Sequence, residues 1–198
     1  MTKRSLWARL KHSLQRIYRR HALFCVKRGQ LRPTVEARIE LTFERAAEEN
    51  LSDALSFRSN EIVSAFRRRL ESGEIGLFAY HQAKAIAHGW MIVNRGTSPI
   101  FANRYFRLRP REALVNFCNV DEKYRGQGVY QAMLCELYRY GFANEPIDVI
   151  YIDTERANVP SMKAIEKTAH FLTYQHYLSI FSYKVELRWP WSSTYCSW

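Results

Sequence analysis

Hydrophobic and polar residues alternate with two different periods along the body of the chain. Residues 35–43 alternate one by one, as in a half-buried strand, whereas 61–71 space their apolar side chains as a helix does. Two apolar runs, 75–81 and 85–93, are joined by a short turn and predict a hairpin. The remaining predicted elements are helix 46–57, a short strand near 105–108, strand 113–120, helix 129–142, strand 148–154, helix 160–168, and strands 171–174 and 178–187. Strands and helices in this order predict an α/β fold around one sheet.

The first 33 residues follow a different pattern. From Leu6 to Tyr18, apolar residues recur at spacings of three and four, with Lys and Arg between them. This predicts a basic amphipathic helix. Four interpretations stay open: a helix docked on its own domain or on a second subunit, one lying on an anionic membrane surface, one touching a polyanion, and an organelle presequence. No apolar segment precedes a small-residue cleavage site, so we do not expect a secretory signal.

The net charge of +11 is concentrated in this N-terminal segment. Residues 1–35 hold ten Lys or Arg and no acid, while the rest carries 20 bases and 19 acids. The nearly neutral body excludes a general nucleic-acid-binding surface, and we expect no nucleic-acid partner. We therefore expect a basic N-terminal helix in 1–33, one catalytic or binding domain in 34–188 and a tail in 189–198. We expect a cytoplasmic protein whose helix can reach the inner membrane surface.

The cysteines point to a reducing compartment. Cys25, Cys118, Cys135 and Cys196 lack the spacing of a disulfide framework or a zinc site, so we interpret them as free thiols and expect no metal. The chain has 198 residues, enough to bury a core without covalent staples. No apolar run approaches the roughly 20 residues that cross a bilayer.

The most informative stretch runs from Val120 to Tyr130. A predicted strand leads into Arg-Gly-x-Gly and then directly into a predicted helix. The first turn of a helix has unpaired amides at the positive end of its dipole, and glycine lets an anion approach the backbone. The stretch is neither a Walker loop nor a Rossmann fingerprint, because no Gly-Lys-Ser/Thr follows and a third glycine is missing. It predicts a pyrophosphate cradle, although two glycines here also suit an ordinary turn.

Two motifs resemble those of a known family. The run Val120-x-x-x-Tyr124-Arg125-Gly126-Gln127-Gly128-Val129 resembles the acyl-CoA-binding signature of the GNAT superfamily of N-acetyltransferases. Downstream, Asn158-Val159-Pro160-Ser161 and a helix ending in Glu166-Lys167 resemble the family's second element. The resemblance covers about 35–187 and implies a GNAT-like mixed sheet flanked by helices. It also implies direct acyl transfer from acetyl-CoA to an amine, without a metal.

The resemblance implies roles for individual residues. The end of the strand would hold the pantetheine arm, the glycine loop would wrap the pyrophosphate through its amides, and Asn158 would reach the cofactor from the second motif. Asn158 is also explained as a helix cap. The implied cofactor-binding residues are Asn119, Val120, Arg125, Gly126, Gln127, Gly128, Val129, Tyr130 and Asn158.

The sequence departs from the family where proton transfer is concerned. The tyrosine that many members place seven residues after the asparagine is Ile165 here, and Tyr130 stands where a small residue is usual. Tyr130 is therefore a candidate acid. Glu155, Glu112 and His88 are candidate bases, each of which also has a structural explanation. We expect Cys118 to be a buried core thiol rather than a nucleophile.

The acceptor is the least determined part. Arg104, Arg107, Arg109 and Arg111 form a cluster that suits an anionic acceptor or a solvated loop. Our leading hypothesis is the amine of a small molecule, such as an amino sugar or an envelope precursor. A protein N-terminus or lysine, and a non-catalytic acyl-CoA-binding module, are the alternatives.

Overall fold

The computed structural model describes residues 18–33, 35–102, 106–180 and 183–187. The strands in these ranges are β1 Tyr18–Lys27, β2 Thr42–Arg45, β3 Ile75–His81, β4 Lys84–Val93, β5 Ile100–Phe101, β6 Arg107–Leu108, β7 Glu112–Val120, β8 Val149–Glu155, β9 His170–Ile180 and β10 Tyr183–Leu187. The α-helices are α1 Asn60–Glu71, α2 Val129–Asn144 and α3 Val159–Ile165, and two 3-10 helices span Glu48–Ser56 and Glu122–Tyr124. Among these residues no helix is long and apolar enough to cross a membrane.

Eight strands form one sheet in the order β10-β9-β1-β8-β7-β4-β3-β2. β7 and β8 pair in parallel, and the other neighbours in this sheet pair antiparallel. The parallel pairing runs from Glu112 opposite Val149 to Val115 opposite Ile152 and then stops, although both strands continue. The two central strands therefore part toward their carboxyl ends and leave an opening in the sheet.

β1 corrects the predicted N-terminal helix. Residues Tyr18–Lys27 form a strand that pairs with β8 on one side and β9 on the other, so the predicted boundary at 33/34 cuts through the domain. The run Ala22–Val26 is apolar on both faces of the strand and fully buried, as expected for an interior strand. Its basic flanks, Arg19, Arg20 and Lys27, make it look like part of a cationic arm. Residues 1–17 of the predicted helix, and the tail 189–198, lie outside the described residues.

Helices cover the two faces of the sheet. On one face α2 and α3 pack on a core that runs from β1 to β3 and includes Phe24, Met91 and Ile150. On the other face, the 3-10 helix and α1 cover a second cluster around Phe66 and Trp90. A third cluster on that face joins β1, β7 and β8 through residues such as Leu23, Leu114 and Tyr151. The sheet is therefore the middle of three layers, with helices on both of its faces.

The described residues that follow β1, 28–33 and 35–38, run along α2 from its end to its start. The guanidinium of Arg28 donates three hydrogen bonds of 2.7–2.9 Å to main-chain carbonyls at and just beyond the end of α2. These bonds satisfy carbonyls that a helix terminus leaves unpaired. Ten residues later, the amide of Arg38 donates to the carbonyl of Gln127 at 2.8 Å. We call residues 28–38 the connecting segment.

Most other predicted elements are present with shifted ends. The predicted hairpin is confirmed as β3 and β4. The predicted strand 35–43 is wrong before Thr42, because backbone groups there bond outside the sheet, as the Arg38 amide does. The predicted helix 46–57 is a 3-10 helix. The predicted break between 174 and 178 is also wrong, since β9 continues to Ile180 against β1.

Candidate active site

A cavity of about 520 Å³ lies at the carboxyl end of β7, beyond the last residue of β7 that pairs with β8. It is lined by the end of β7, the loop that follows, the first turn of α2 and the start of α3. Of the nine residues with implied cofactor roles, only Gln127 is absent from the lining. The two sequence motifs therefore come together around one cavity.

The loop before α2 presents a row of backbone amides. Gly128 is the N-cap of α2, and no side chain caps it. Within the described part of the chain, no hydrogen bond is donated by the amides of residues 126–131. These donors sit at the positive end of the α2 dipole, which is how helix termini bind phosphate groups. The loop therefore has the unpaired amides that the predicted pyrophosphate cradle requires.

The two glycines of the loop are required for different reasons. Both have positive φ, +77° for Gly126 and +84° for Gly128, a conformation that favours glycine. A Cβ on Gly126 would have no atom within 4 Å. A Cβ on Gly128 would lie 3.1 Å from the Cα of Ala37 and 3.1 Å from the carbonyl oxygen of Glu36. Gly128 thus leaves room for the connecting segment to pack on the loop. At Gly126 the space is empty, so glycine is favoured there only by the left-handed backbone.

Side chains contribute less to the cradle than amides do. Arg125 is exposed and donates to Glu122 at 3.0 Å, so it is the cation nearest the loop with room to turn toward an anion. The side-chain amide of Gln127 donates to the carbonyl of Lys123 at 3.4 Å. Val129 is 1% exposed, and its side chain belongs to the core. Of these three side chains, only that of Arg125 carries a charge that can attract an anion.

β7 is distorted beside the opening. Phe117 has φ of +46°, and the register with β4 shifts between His88 and Trp90. A bulge of this kind re-aims the backbone that follows it, here at Asn119 and Val120. The ring of Phe117 lies under the guanidinium of Arg69, 4.5 Å from ring centroid to Cζ, which helps to hold the strained residue. The edge of β7 beyond Val115 then faces the opening without β8.

Tyr130 reaches across to α3. Its phenol oxygen accepts a hydrogen bond from the hydroxyl of Ser161 at 3.3 Å. Burial raises the pKa of Tyr130, Cys118 and Asp153 raise it further, and the bond from Ser161 opposes them. Tyr130 thus remains a protonated phenol, able to donate, throughout the physiological range. Asn158 caps α3, with Oδ1 accepting from the Ser161 amide at 3.3 Å, and its side-chain nitrogen is left for a ligand.

Cys118 lies in the same cavity but is poorly suited to nucleophilic catalysis. Burial raises the pKa of its thiol to about 12. The thiol lies 3.5 Å from the carbonyl oxygen of Asn116, to which it donates. Because the thiolate is the nucleophilic form, this environment favours the interpretation of Cys118 as a core thiol.

The three candidate bases do not come together. Glu112 begins β7, about 20 Å along the strand from the first cavity residue, Cys118, at the usual rise per residue, and it accepts a hydrogen bond from Tyr151 at 3.2 Å. His88 is fully buried among aromatic rings, and burial lowers its pKa to about 3. Glu155 ends β8 and is half-buried beside the opening. None of the three lines the cavity: His88 pairs with Asn119 of the lining but is buried, and Glu155 accepts at its carbonyl from the amide of Asn158 at 2.8 Å.

The arginine cluster lies at the far end of the sheet from the cavity. The guanidinium of Arg111 makes two hydrogen bonds, of 2.6 and 2.7 Å, to Asp148 just before β8. Arg107 lies over the ring of Phe101, 5.8 Å from its centroid. Arg104 lies outside the described residues. The described arginines therefore stabilise the loop that precedes β7 and do not face the cavity.

One pair beside the opening escaped the sequence analysis. Nδ1 of His21, on β1, is 2.7 Å from Oδ2 of Asp153, on β8. His21 was assigned to the basic arm, and no local signal connects residues 132 positions apart. Ser161 was assigned only as part of a motif. Among the described residues there is no cluster of three or more side chains suited to a metal ion.

The fold and this cavity together form a cleft suited to a ligand that carries phosphate groups. One cleft brings together three features: the parted parallel strands, the glycine loop of unpaired amides, and Asn158, which caps α3. The sequence model of the Acetyltransferase (GNAT) family matches residues 39–171, more than half of the chain. The chain belongs to this family of acetyl-CoA-dependent acyltransferases. The predicted family, fold class, enzyme class and acyl donor are thereby confirmed at the level of the family.

Solved structures share the fold at low sequence identity. A GNAT-family acetyltransferase from Colwellia psychrerythraea matches with a TM-score of 0.55 and 21% identity, covering 80% of this chain and 54% of its own. A conserved protein of unknown function from Staphylococcus epidermidis matches at 0.53 and 12%, covering 80% and 60%. A tandem GNAT protein from the clavulanic acid biosynthesis pathway matches at 0.52 and 11%, covering 85% and 57%. This chain thus spans little more than half the length of these proteins. A search of curated proteins finds no significant match.

Proposed function

We propose that this protein transfers an acetyl group from acetyl-CoA directly to the amine of a small molecule, such as an amino sugar or an envelope precursor. The observation that carries the proposal is the parting of β7 and β8 beside the loop of unpaired amides. This arrangement places an anion site beside the gap left where the pairing of the two strands stops, and we call this gap the passage. When bound, acetyl-CoA supplies a thioester whose acyl carbon an amine can attack.

The residues of the cavity suit the donor. The amides of residues 126–131 would hold the pyrophosphate, and the main chain of Asn119 and Val120 would hold the pantetheine arm. The nitrogen of the Asn158 side chain would bind from the α3 side. A main-chain amide at the bulge of β7 would donate to the carbonyl oxygen as it gains charge.

The face of the sheet opposite α2 suits an acceptor that arrives as a charged amine. An alkylammonium group has a pKa of about 10 and arrives charged at neutral pH. Asp153 and Glu155 are two residues apart at the end of β8, so both carboxylates lie on the same face of the sheet, the face opposite α2. Two carboxylates at the passage attract an ammonium group, whereas the arginine cluster that would suit an anionic acceptor lies at the other end of the sheet.

Tyr130 would assist the leaving thiolate as a hydrogen-bond donor. A thiol has a pKa of about 8.5, well below that of this buried phenol, so complete proton transfer from Tyr130 is unfavourable. A phenol O–H that donates to the thiolate still stabilises its charge. Ile165, at the position of the family's tyrosine, is fully buried and cannot take this role.

Tyr130→Phe tests this role. The change removes only the hydroxyl, and we expect turnover to fall about 10²-fold while the Kd for acetyl-CoA stays the same. Tyr138→Phe, in the buried part of α2, is the matched control and should keep normal turnover. Unchanged turnover in Tyr130→Phe would exclude the hydroxyl from the reaction.

Binding and turnover test the function in two stages. Titration calorimetry should show acetyl-CoA and CoA binding, and saturating acetyl-CoA should raise the Tm by mass action. Glucosamine, ethanolamine and a peptide with a free N-terminus are then supplied with acetyl-CoA, and released CoA is measured. Absence of binding to folded protein contradicts the proposal. Binding without release indicates an acyl-CoA-binding module, and release with the peptide alone indicates a protein acceptor.

A further inference from the structure

A histidine–aspartate pair borders the opening on the face away from the cofactor cavity. Nδ1 of His21 lies 2.7 Å from Oδ2 of Asp153. The two side chains are 24% and 23% exposed, so the pair is sheltered but open to solvent on one side. β1 supplies the imidazole, and β8 supplies the carboxylate.

The position of the pair follows from strand alternation. Asp153 is the first residue of β8 beyond Ile152, the last to pair with β7. Tyr151, two residues earlier, packs in the cluster on the face opposite α2 and α3, and side chains two apart share a face. Leu23 belongs to the same cluster, which places His21, two residues before it, on that face as well. The pair therefore lies where the passage opens toward an acceptor.

The pair and the cofactor cavity share the same gap. Tyr130 lies in the cavity on the α2 side, hydrogen-bonded to Ser161. The charge of Asp153, after the larger effects of burial and Cys118, contributes to raising the pKa of Tyr130. Asp153 lies on β8 just beyond its last pair with β7, and Tyr130 lines the cavity at the end of β7, so both residues lie at the gap.

We propose that His21 is the catalytic base that deprotonates the acceptor amine, and that Asp153 is the residue that positions it. The inference rests on the proposed N-acetyl transfer and deepens it. A carboxylate accepts hydrogen bonds, so the imidazole Nδ1 carries the proton in the pair and Nε2 has the lone pair. An N–H bond of the acceptor ammonium group breaks, its proton forms an Nε2–H bond, and its electron pair becomes the lone pair that attacks the acyl carbon. As the amide forms, the C–S electrons leave with the CoA sulfur, which takes the second proton of the amine nitrogen.

Two nucleophiles separate a base from a structural residue. Glucosamine is mostly an ammonium ion at pH 7 and needs a base, whereas hydroxylamine is mostly neutral and does not. With acetyl-CoA and glucosamine, His21→Gln should lower kcat/KM by about 10²–10⁴-fold. Transfer to hydroxylamine, corrected for the uncatalysed reaction, and the Kd for acetyl-CoA should change by less than threefold. Added imidazole should restore part of the glucosamine activity of His21→Ala.

The controls address folding and position. His176→Gln is the matched control. His176, on β9, pairs with Arg20 of β1, and Arg20 is the neighbour of His21 along the strand, so His176 lies on the other face of the sheet from His21. It should keep wild-type kcat/KM. Asp153→Ala should lower kcat with glucosamine while Asp153→Asn retains more, because the amide oxygen still accepts from Nδ1. Equal losses with both nucleophiles in His21→Gln, or no loss with glucosamine, would overturn the proposal.

An affinity label tests the placement without any acceptor. Bromoacetyl-CoA brings an electrophilic carbon to the acyl position, where Nε2 of a nearby imidazole displaces bromide and forms a C–N bond. We expect mass spectrometry to find the label on His21, and excess CoA to prevent it. Label only on Cys118 or Tyr130, or none on a protein that binds CoA, overturns the inference but leaves acyl-CoA binding intact. Failure to bind CoA at all would remove the proposed function as well.

Discussion

Replacing each loop glycine by alanine separates the two roles that the structure gives them. Gly126→Ala forces a Cβ into a left-handed backbone at φ of +77° with no atom within 4 Å, so only the conformational cost applies, about 1 kcal/mol. Gly128→Ala carries the same cost and also presses the Cβ against two backbone atoms, each 3.1 Å away. Those atoms belong to the connecting segment and cannot rotate aside.

The added cost at Gly128 can be bounded. Moving the segment weakens the bond of 2.8 Å from the Arg38 amide to the Gln127 carbonyl, worth about 1 kcal/mol. The total for Gly128→Ala is then about 2 kcal/mol. For a chain of this length, each kcal/mol shifts Tm by about 2–4 °C. We expect losses of about 3 °C for Gly126→Ala and about 4–8 °C for Gly128→Ala.

Calorimetric melting of the three proteins, with urea unfolding as a second measure, checks this difference. Titration with acetyl-CoA shows whether either methyl group also disturbs the cradle. If Gly128→Ala were no less stable than Gly126→Ala, the close approach of the connecting segment would not be the reason for glycine at 128.

Three further predictions concern groups away from the loop. His88, whose pKa burial lowers to about 3, takes up a proton in the unfolded chain near pH 6.5 but not in the folded one, so stability should fall as the pH drops from 6.5. The loss by pH 4 should be on the order of 3 kcal/mol, and His88→Phe should flatten this part of a urea-unfolding pH profile. Iodoacetamide should leave Cys118 unmodified in native protein at pH 8, where a pKa of about 12 leaves about one thiol in ten thousand ionised; rapid native labelling would contradict this. The full chain should sediment with anionic vesicles at low salt, and a chain lacking residues 1–17 should not, because these residues hold five of the ten N-terminal bases. The deletion should retain acetyl-CoA binding. A full chain left in the supernatant would exclude the membrane interpretation.

Local patterns predicted the elements whose signals lie within one stretch of chain. The alternating apolar runs of β3 and β4, and the strand–glycine–helix order from β7 to α2, carry their own boundaries. The cofactor cavity was predictable for the same reason, because its loop and its helix are contiguous in sequence. Ser161 and Asn158 came from the second motif.

Long-range features were not accessible in this way. The bulge at Phe117 depends on the rings and the arginine packed around it, and no residue type near it demands positive φ. The requirement for glycine at 128 arises from the segment at 36–37, some 90 residues earlier. The separation of β7 from β8 reflects pairing that stops, which a sequence period does not record.

β1 shows how charge can conceal a core strand. Its apolar run is only five residues long, Ala22–Val26, and the bases on both sides dominate a composition-based interpretation. The strand pairs along both edges, with β8 and β9, so it is as interior as any strand of the sheet. The family match begins at residue 39 and does not include it. A fragment cut at residue 39 would keep the glycine loop and α2, but it would lose the connecting segment that packs on Gly128, the strand between β8 and β9, and His21 beside the opening. The glycine loop therefore lies within the family match, whereas the segment that packs on it and the proposed base come from a part of this chain that the match does not include.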